Sequence, residues 1–271
     1  MPEGDTVWRT ARRLHEVFAG RPLVRCDLRW PDIATVDFTG YDTVEVVARG
    51  KHILHRLAPA TDDVPWTIHS HLRMEGSWRV ERTAVPPAAF PAAGIRAVVA
   101  TGEYTALGWS LGMLDVVRTA DEASLVGHLG PDVLGPDWDA GVAAANLKAS
   151  GAVIGAALID QRNLAGVGTM WAAESLFVER INPLTPAASL DEAALVRLVT
   201  RAQRLIDANR AHAIPSSTGI RRHGHETYAH GRRGKPCRRC GTPIRLEWAG
   251  PPTRERTMFF CPACQATTRV G

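Results

Sequence analysis

The stretch CRRCGTPIRLEWAGPPTRERTMFFCPAC, residues 237–264, determines one part of the fold without help from the rest of the chain. It holds four of the five cysteines as two Cys-x2-Cys pairs with 20 residues between them: Cys237, Cys240, Cys261 and Cys264. Pairs with this spacing are typical of tight turns in a β-hairpin that supply four thiolates to one tetrahedral zinc ion. Because four protein ligands close the coordination sphere, we expect one structural Zn²⁺ per chain.

Two disulfide bonds are the alternative for these four cysteines, as in small secreted domains. Cys26 makes the cysteine count odd, and the sequence has neither a signal peptide nor a long apolar run that could span a membrane. We therefore expect a reduced, cytoplasmic protein that does not associate with a membrane, and a zinc site in place of disulfides.

Positive charge is concentrated around the hairpin. Residues 220–271 carry 11 Lys and Arg against 3 Asp and Glu, a net charge of +8, whereas the whole chain has +4. Cationic side chains displace counterions from phosphates, so a basic zinc hairpin on a near-neutral body indicates nucleic-acid binding. A solvated, arginine-rich surface is the alternative, because 29 of the 32 cationic residues are Arg.

The N-terminus, Met1-Pro2-Glu3, offers a nucleophile. Pro2 is small enough to allow removal of Met1, and α-amino groups titrate at about pH 8, so that part of the amine is unprotonated at neutral pH. Such an amine attacks an aldehyde carbon and forms a Schiff base. The neighbouring carboxylate of Glu3 can transfer protons for it. An N-terminus without a chemical role is the alternative for these residues taken alone.

The segments between the two ends predict a β-rich half followed by a helical half. Apolar residues at helical spacing predict a helix over residues 6–19, and short apolar segments bounded by turns predict strands within residues 20–118. The clearest strand segments are 44–47, 52–55, 66–69, 77–80 and 97–100, and the Pro/Ala-rich residues 82–94 predict a loop. Ala/Leu-rich segments predict helices over 142–148, 153–158, 169–177 and 190–208.

A glycine-rich turn precedes the third of these helices. Gly166-Val167-Gly168 ends at Thr169, where the helix begins, and a turn of this kind leaves backbone N–H groups free to bind a phosphate. An ordinary turn between helices is the alternative. Residues 213–233 predict a mobile loop that leads to the hairpin.

Taken in order, these segments resemble the formamidopyrimidine-DNA glycosylase and endonuclease VIII family of bifunctional base-excision enzymes. The resemblance covers essentially the whole chain. It is carried by Pro2-Glu3-Gly4, Arg49-Gly50-Lys51, Ser70-His71-Leu72, Gly76-Ser77-Trp78-Arg79, Leu129-Gly130-Pro131-Asp132, residues 160–168, Ala173-Glu174-Ser175-Leu176-Phe177, Gly231-Arg232 and the four-cysteine hairpin.

The resemblance implies a catalytic role for three residues. Pro2 would attack C1′ of a damaged nucleoside, displace the base and remain linked to the opened sugar, and Glu3 would be the general acid/base at the sugar ring. Lys51 matches the family lysine that contacts phosphate near the lesion and assists strand cleavage. The implied products are an excised base and a strand cut by β,δ-elimination.

The resemblance also implies several DNA contacts. The target base must leave the duplex for C1′ to be reached, and a side chain must then fill the gap. Residues 72–75 lie where the family inserts such a wedge; Met74, beside Arg73, matches an intercalating methionine, with a core-filling methionine as the alternative. Gly166, Gly168 and Thr169 match the phosphate-binding helix–two-turns–helix motif, and Arg256 matches the hairpin arginine that binds a phosphate beside the flipped nucleotide.

Several features depart from the family pattern. Thr6 replaces a frequent Glu, Thr169 replaces the usual Asn of the two-turn motif, and the spacer between the cysteine pairs is about four residues longer than common in the family. The Arg and Phe with which the formamidopyrimidine branch contacts the opposite base are not evident near residues 104–108. The chain therefore resembles the endonuclease VIII branch more closely, which implies oxidised pyrimidines as substrates.

The expected fold class is α+β: an N-terminal helix with a β-sandwich, a helix–two-turns–helix domain and a zinc β-hairpin. The expected domains are residues 1–122, 123–228 and 229–271. We expect a monomeric DNA glycosylase/AP lyase of base excision repair that acts on damaged double- or single-stranded DNA at the bacterial nucleoid. A non-catalytic binder of damaged or abasic DNA is the alternative, and a zinc-ribbon transcription or RNA-binding factor would leave the N-terminus unexplained.

Overall fold

In the computed structural model, which describes residues 2–59, 64–83, 92–253 and 255–266, the chain divides into two units, residues 1–128 and 129–271. The first unit holds one long helix and eight strands, and the second holds the remaining long helices and a two-stranded hairpin. The predicted α+β fold is confirmed. The three-part domain division stays a prediction. None of the described helices is both long and apolar enough to cross a membrane.

Helix α1 (Gly4–Phe18) covers the core of the first unit. Its buried side chains Val7, Ala11, Leu14 and Phe18 follow the helical spacing that the sequence shows, which places them on one face. The helix begins two residues before the predicted start. Glu3 occupies the N-cap position, and the acidic Asp5 in the first turn is favoured by the helix dipole.

Two antiparallel four-stranded sheets form the predicted sandwich. One has the strand order β1-β6-β7-β5 and the other β2-β3-β4-β8. Residues from both sheets and from α1 share one buried apolar cluster, which is the core of this unit. The strands are β1 (Arg25–Leu28), β2 (Asp42–Arg49), β3 (His52–Ala58), β4 (Trp66–His71), β5 (Ser77–Arg82), β6 (Ile95–Ala100), β7 (Tyr104–Trp109) and β8 (Met113–Arg118).

All five strand segments predicted from the sequence lie inside these strands. The expected 82–94 loop overlaps the end of β5 and a 3-10 turn at Ala92–Gly94, and its residues 84–91 lie outside the described residues. A short helix, α2 (Ala123–Val126), closes the unit.

The second unit is built around four helices with a common apolar core. They are α3 (Ala140–Ala149), α4 (Ile154–Ile159), α5 (Thr169–Val178) and α6 (Glu192–Asn209). Asp139 and Asp191 cap α3 and α6 with side-chain oxygens that accept backbone N–H bonds at 2.9 Å and 2.6 Å. The cap at Asp191 explains why α6 starts after residue 190, the predicted start.

The C-terminal hairpin packs onto this helical core. Strands β9 (Arg245–Ala249) and β10 (Arg256–Phe260) pair antiparallel, with Ala249 opposite Arg256. Ala249 and Met258 lie on one face of the hairpin, are almost fully buried and belong to the same apolar cluster as the helices. The other face carries Trp248, which is 64% exposed. One face of the hairpin is therefore fixed and the other faces solvent.

Candidate functional site

Pro2 and Glu3 lie at the start of α1. Pro2 is half-buried and precedes the helix, and Met1 lies outside the described residues. Glu3 is only 5% exposed, and its carboxylate makes no capping bond to its own helix although its backbone carbonyl accepts the N–H of Val7 at 3.0 Å. A buried carboxylate directly beside Pro2 suits a group that would exchange protons with an amine at that position.

Lys51 lies in the tight turn between β2 and β3. The two-residue loop Gly50-Lys51 connects Arg49 to His52, which face each other in the strand register. Gly50 has φ 59°, which a two-residue hairpin loop of the II′ type requires at its first position. Lys51 is 7% exposed, which is rare for a lysine and indicates a specific environment.

Arg73 and Met74 lie in the turn between β4 and β5. The N–H of Gly76 donates to the carbonyl of Leu72 at 2.8 Å and closes the turn, and a Cβ at Gly76 would meet that carbonyl oxygen at 2.4 Å. Arg73 has a φ of 53°, and the carbon atoms of its side chain pack directly against Gly112. Met74 is 66% exposed, so it does not fill the core, which was the alternative to a wedge.

A group of histidines beside Lys51 was not predicted as part of a site. His52 Nδ1 lies 2.7 Å from His69 Nε2, and His69 Nδ1 lies 2.9 Å from the carboxylate of Asp115. His71 stands opposite His52 across the strands, with ring centroids 4.8 Å apart. The sequence shows these histidines, but only the strand register brings them together.

The glycine-rich turn before α5 is organised by Gln161. Its side-chain oxygen accepts the N–H of Gly166 at 3.0 Å, and its Nε2 donates to the carbonyls of Ile159 and Val167, both at 2.8 Å. The expectation that the N–H of Gly166 is free for a phosphate is therefore wrong for this structure. Gly166 has a φ of 100°, a backbone conformation that favours glycine, and it therefore allows the chain to turn here.

Gly168 and Thr169 stand at the N-terminus of α5. Gly168 is its N-cap residue, and Thr169 is the first helical residue and half-buried. The positive end of a helix dipole attracts an anion. The segment 129–132 supports this turn, since the N–H of Gly130 donates to the carbonyl of Gln161 at 2.9 Å and a Cβ at Gly130 would approach Asn163 to 2.6 Å.

Glu174 on α5 anchors the chain segment that leads to the hairpin. Its fully buried carboxylate accepts three consecutive backbone N–H bonds, from Tyr228 at 2.7 Å, Ala229 at 2.9 Å and His230 at 2.8 Å, and the hydroxyl of Ser217. Burial raises the pKa of Glu174, and the four donors oppose this shift. Residues 213–233 contain no helix or strand, as expected for a loop, and the part around Ala229 is fully buried. The mobility of this loop stays a prediction.

The four cysteines meet at the base of the hairpin. Their sulfur atoms all lie within 4.8 Å of one another, with Cys240 Sγ 3.5 Å from Cys261 Sγ and Cys237 Sγ 3.9 Å from Cys264 Sγ. In a tetrahedral site with Zn–S bonds of about 2.3 Å, neighbouring sulfurs are about 3.8 Å apart. A disulfide would need about 2.05 Å. The donor set therefore fits a zinc ion, and the disulfide alternative is excluded in this structure.

Backbone groups support the cysteines as ligands. The N–H groups of Arg239 and Cys264 point at the sulfurs of Cys237 and Cys261, each at 3.4 Å. Hydrogen bonds from Thr242 lower the pKa of Cys240 to about 6, whereas burial raises the pKa of Cys264 to about 12. A cation that binds all four as thiolates must displace protons, so its affinity should rise with pH.

Substitution of Cys264 by Ser is expected to remove the metal and unfold the hairpin, because the binding energy of a closed site is folding energy. Zinc content should fall from about one ion per chain to near zero, and DNA affinity should fall with it. The buried Cys26 in β1 is the control, since Cys26→Ala should keep the zinc. A Cys264→Ser protein with full metal content and wild-type DNA affinity would contradict this assignment.

Arg256 is the first residue of β10 and lies next to the hairpin tip. It is exposed, and its Nη1 donates to the backbone carbonyl of Glu255 at 3.0 Å. Arg254, two residues earlier, lies outside the described residues.

Substitution of Arg256 by Ala is expected to weaken DNA binding for all sequences, because a phosphate-bound arginine contributes a charge-assisted bond. The slope of log Kd against log salt concentration should fall by about one phosphate contact. Arg245, exposed on the partner strand at the end away from the tip, is the matched control. Equal salt slopes for the Arg256→Ala, Arg245→Ala and wild-type proteins would show that Arg256 binds no phosphate.

Comparison with known proteins agrees with this arrangement. Residues 1–107 match the family model of the formamidopyrimidine-DNA glycosylase N-terminal domain, and residues 129–218 match that of the formamidopyrimidine-DNA glycosylase H2TH domain. The chain is 46% identical over 267 residues to the "Probable endonuclease 8 2" of Streptomyces coelicolor, with 98% of this chain and 94% of that protein covered. It is 42% identical to the "DNA-(apurinic or apyrimidinic site) lyase Nei2" of Mycolicibacterium smegmatis, with 99% and 100% covered.

Solved structures share the fold at lower identity. The Lactococcus lactis formamidopyrimidine-DNA glycosylase bound to DNA with an abasic site is 22% identical, has a TM-score of 0.78 and covers 97% of this chain and 99% of its own. A complex of the same bacterial enzyme with DNA that contains an oxidised pyrimidine has a TM-score of 0.79 at 22% identity, with 98% and 100% covered.

Proposed function

Because the chain belongs to the formamidopyrimidine-DNA glycosylase and endonuclease VIII family and is a DNA glycosylase/AP lyase, we propose that it excises oxidised pyrimidines through a Schiff base on Pro2. The similarity of 42–46% over nearly the whole chain is to proteins described as endonuclease 8 and as an AP lyase. The wider structural similarity is to glycosylases in complex with damaged DNA.

The proposed reaction begins at the amine of Pro2. Its nitrogen attacks C1′ of the damaged nucleoside, the bond from C1′ to the base breaks, and the sugar ring opens to leave an iminium link. Glu3 supplies and accepts the protons at the sugar. Loss of the C2′ proton then breaks the C3′–O bond, a second elimination breaks the C5′–O bond, and water releases the amine.

The burial of Glu3 and Lys51 is the observation that carries this proposal. Glu3 and Lys51 are each more than nine-tenths buried, in the same unit as Pro2, the proposed nucleophile. Burial of charged groups is costly and is seldom found unless they are paired or functional. In the proposal Glu3 works at the sugar, and Lys51 holds a phosphate near the lesion.

The connection between β7 and β8 supports a pyrimidine preference. It consists of only three residues, 110–112, and Leu111 in its centre is 3% exposed and part of the sandwich core. Its residues, Ser110, Leu111 and Gly112, include neither an Arg nor a Phe that could contact the base opposite the lesion. In the proposal, Met74 enters the gap that the flipped base leaves, and Arg73 lies beside it.

The second unit supplies the proposed phosphate contacts. Thr169 and the helix N-terminus at Gly168 bind the backbone of the damaged strand, with Gly166 shaping the turn, and Arg256 binds a phosphate from the hairpin. The four cysteines hold Zn²⁺, whose role is to fold the hairpin. The acting form is proposed to be a monomer, and the reaction takes place in the bacterial cytoplasm, on nucleoid DNA.

The sequence alone left two alternative functions to consider. A non-catalytic binder of damaged DNA needs neither Pro2 nor Glu3, and membership of an enzyme family with both residues in place speaks against it. A zinc-ribbon transcription or RNA-binding factor is inconsistent with family matches that together span residues 1–107 and 129–218.

A panel of defined lesions tests the substrate. Purified protein would be incubated with oligonucleotides that contain 5-hydroxycytosine, dihydrouracil or 8-oxoguanine, each as a single strand and as a duplex with every opposite base. The proposal predicts faster excision of the two pyrimidines, with a weak dependence on the opposite base. Preferential excision of 8-oxoguanine opposite C would overturn the pyrimidine assignment and leave the glycosylase activity standing.

A further inference from the structure

A chain of hydrogen bonds runs across the face of the β2-β3-β4-β8 sheet that lies opposite the sandwich core. Along β3 and β4, Ile53 and Ile68 point into the core, and the alternate positions point to this outer face. There the carboxylate of Asp115 lies 2.9 Å from His69 Nδ1, and His69 Nε2 lies 2.7 Å from His52 Nδ1. The proposed reaction so far uses none of these three side chains.

The direction of these bonds follows from the chemistry of the groups. An ionised carboxylate only accepts, so His69 carries a proton on Nδ1 and donates it to Asp115. A neutral His69 then presents a lone pair on Nε2, and His52 must donate its own Nδ1 proton to it. His69 is fully buried and His52 is 8% exposed, so water does not compete for the bond between the two rings. The side chain of Asp115 is 41% exposed, and its carboxylate meets the buried His69 from the solvent side. Asp115 therefore sets the tautomers of both rings.

One end of this chain of hydrogen bonds, at His52, lies between two functional segments. His52 directly follows Lys51, and His71, which stands opposite His52, directly precedes the turn that carries Arg73 and Met74. The N–H of Arg73 donates to His71 Nδ1 at 2.9 Å, which leaves the proton of His71 on Nε2. The rings of His52 and His71 meet edge to face, with centroids 4.8 Å apart. The turn that holds Lys51 and the turn that holds Met74 are therefore both joined to the same group of imidazoles.

We propose that Asp115, His69 and His52 are positioning residues for Lys51: they fix the turn that carries it against the turn that carries Met74, and keep the imidazoles beside its ammonium group uncharged. The proposal rests on the proposed role of Lys51 in strand cleavage. It predicts that loss of Asp115 impairs catalysis through Lys51 without a change in overall fold.

The electrostatics of the group agree with uncharged rings. Burial, together with the neighbouring His69, His71, His128 and Arg73, lowers the pKa of His52 to about 3. Burial also lowers the pKa of His69, against the opposing effect of Asp115. Burial, together with the charges of Arg73 and Lys51, lowers the pKa of His71 to about 4. At neutral pH the rings are therefore neutral, and they would repel Lys51 only after protonation in acid.

The first experiment compares Asp115→Ala with Asp115→Asn in the full-length protein. Asp115→Ala removes the acceptor, and strand cleavage at a preformed abasic site should slow by about ten-fold or more, the scale expected when a catalytic group is displaced. Asp115→Asn keeps a carboxamide oxygen and should recover part of the rate. Affinity for abasic DNA should stay near that of the wild type, because Asp115 is not expected to contact DNA.

Nitrogen-15 NMR of the imidazoles, recorded without DNA, measures the tautomers directly. In the wild type we expect protons on Nδ1 of both His69 and His52, and in Asp115→Ala a mixture of tautomers. Because Asp115 raises the pKa of His69, its removal should shift the acid limb of the cleavage rate to lower pH. Wild-type tautomers in Asp115→Ala would overturn the proposal, whatever the enzymatic rate.

A double-mutant cycle with Lys51→Gln separates this proposal from the proposed function. If Asp115 acts through Lys51, the double variant Asp115→Ala/Lys51→Gln should be no slower than Lys51→Gln alone. Fully additive losses would overturn the positioning role while leaving Lys51 as a cleavage residue. Wild-type cleavage by Lys51→Gln would instead refute the proposed role of Lys51, and the positioning role would fall with it.

Glu122→Gln is the control for a structural effect. Glu122 directly precedes α2 and contacts the other end of the same sheet, where it pairs with Arg56 at 2.7 Å and with Thr67 at 2.5 Å. Its substitution should lower stability without a change in the tautomers, in the pH profile or in the cycle with Lys51→Gln. An equal effect of Glu122→Gln on these three measurements would show that the losses in Asp115→Ala reflect stability alone.

Discussion

Substitution of Glu3 by Gln is expected to slow excision of a damaged base by roughly 10²-fold or more, the usual contribution of a general acid/base. The substitution keeps the size of the side chain and removes its ability to accept a proton. Glu3 is 5% exposed, and its side chain makes no capping hydrogen bond to α1, so the helix should form normally in the variant. DNA affinity should change little, because a carboxylate does not attract phosphate.

Glu16 on the same helix provides the matched control. It is 47% exposed in its side chain and pairs with Arg12 at 3.0 Å, so Glu16→Gln should cost little in stability or rate. Single-turnover excision rates and dissociation constants would be measured for both variants. Excision by Glu3→Gln at the wild-type rate would remove Glu3 from the proton-transfer step.

Substitution of Glu174 by Ala is expected to give the largest structural effect. Three backbone N–H groups, of Tyr228, Ala229 and His230, and the hydroxyl of Ser217 would lose their acceptor in a buried place. Each buried donor left without a partner costs about 1–3 kcal/mol, so the loss of all four bonds should lower the free energy of unfolding by at least about 4 kcal/mol.

Hydrogen–deuterium exchange of the three amides measures this loss locally. In Glu174→Ala they should exchange about 10²-fold faster or more, and DNA binding should weaken because the segment leads to the zinc hairpin. Glu179 at the end of the same helix, whose ion pair with Arg201 is partly exposed, is the control and should have a small effect. Unchanged protection of the three amides would show that Glu174 does not anchor the segment.

Local patterns were sufficient to predict most of the fold. The spacing of Val7, Ala11, Leu14 and Phe18 predicts α1, because a helix that covers a core must bury one face. The two Cys-x2-Cys pairs predict the cysteine cluster, because metal ligands impose their spacing directly on the sequence. In both cases the information lies within a few residues of the feature.

Features that depend on strand register or on distant contacts were not predicted. His52, His69 and Asp115 are 17 and 46 residues apart, and only the pairing of β3, β4 and β8 brings them together. The same reason explains the anchoring of residues 228–230 by Glu174, 54 to 56 residues earlier.

One expectation about a local feature, the turn at residues 166–168, was wrong. The glycines at 166 and 168 suggested a turn with free N–H groups, but Gln161 occupies the N–H of Gly166 and also holds the carbonyl of Val167. A glutamine five residues away can do this only because the turn folds back on it, which the Gly-x-Gly pattern does not show. For Met74 the sequence left two interpretations open, and its 66% exposure decides against core packing.

The central claim is that the amine of Pro2 forms the covalent intermediate. Borohydride reduction during incubation with an oligonucleotide that contains an abasic site tests it most directly, together with mass spectrometry of the N-terminus. We predict that the protein without Met1 becomes covalently linked through Pro2, and that Pro2→Gly and a protein that retains Met1 trap and cleave far less. Full trapping and cleavage by a protein shown to retain Met1 would contradict the account.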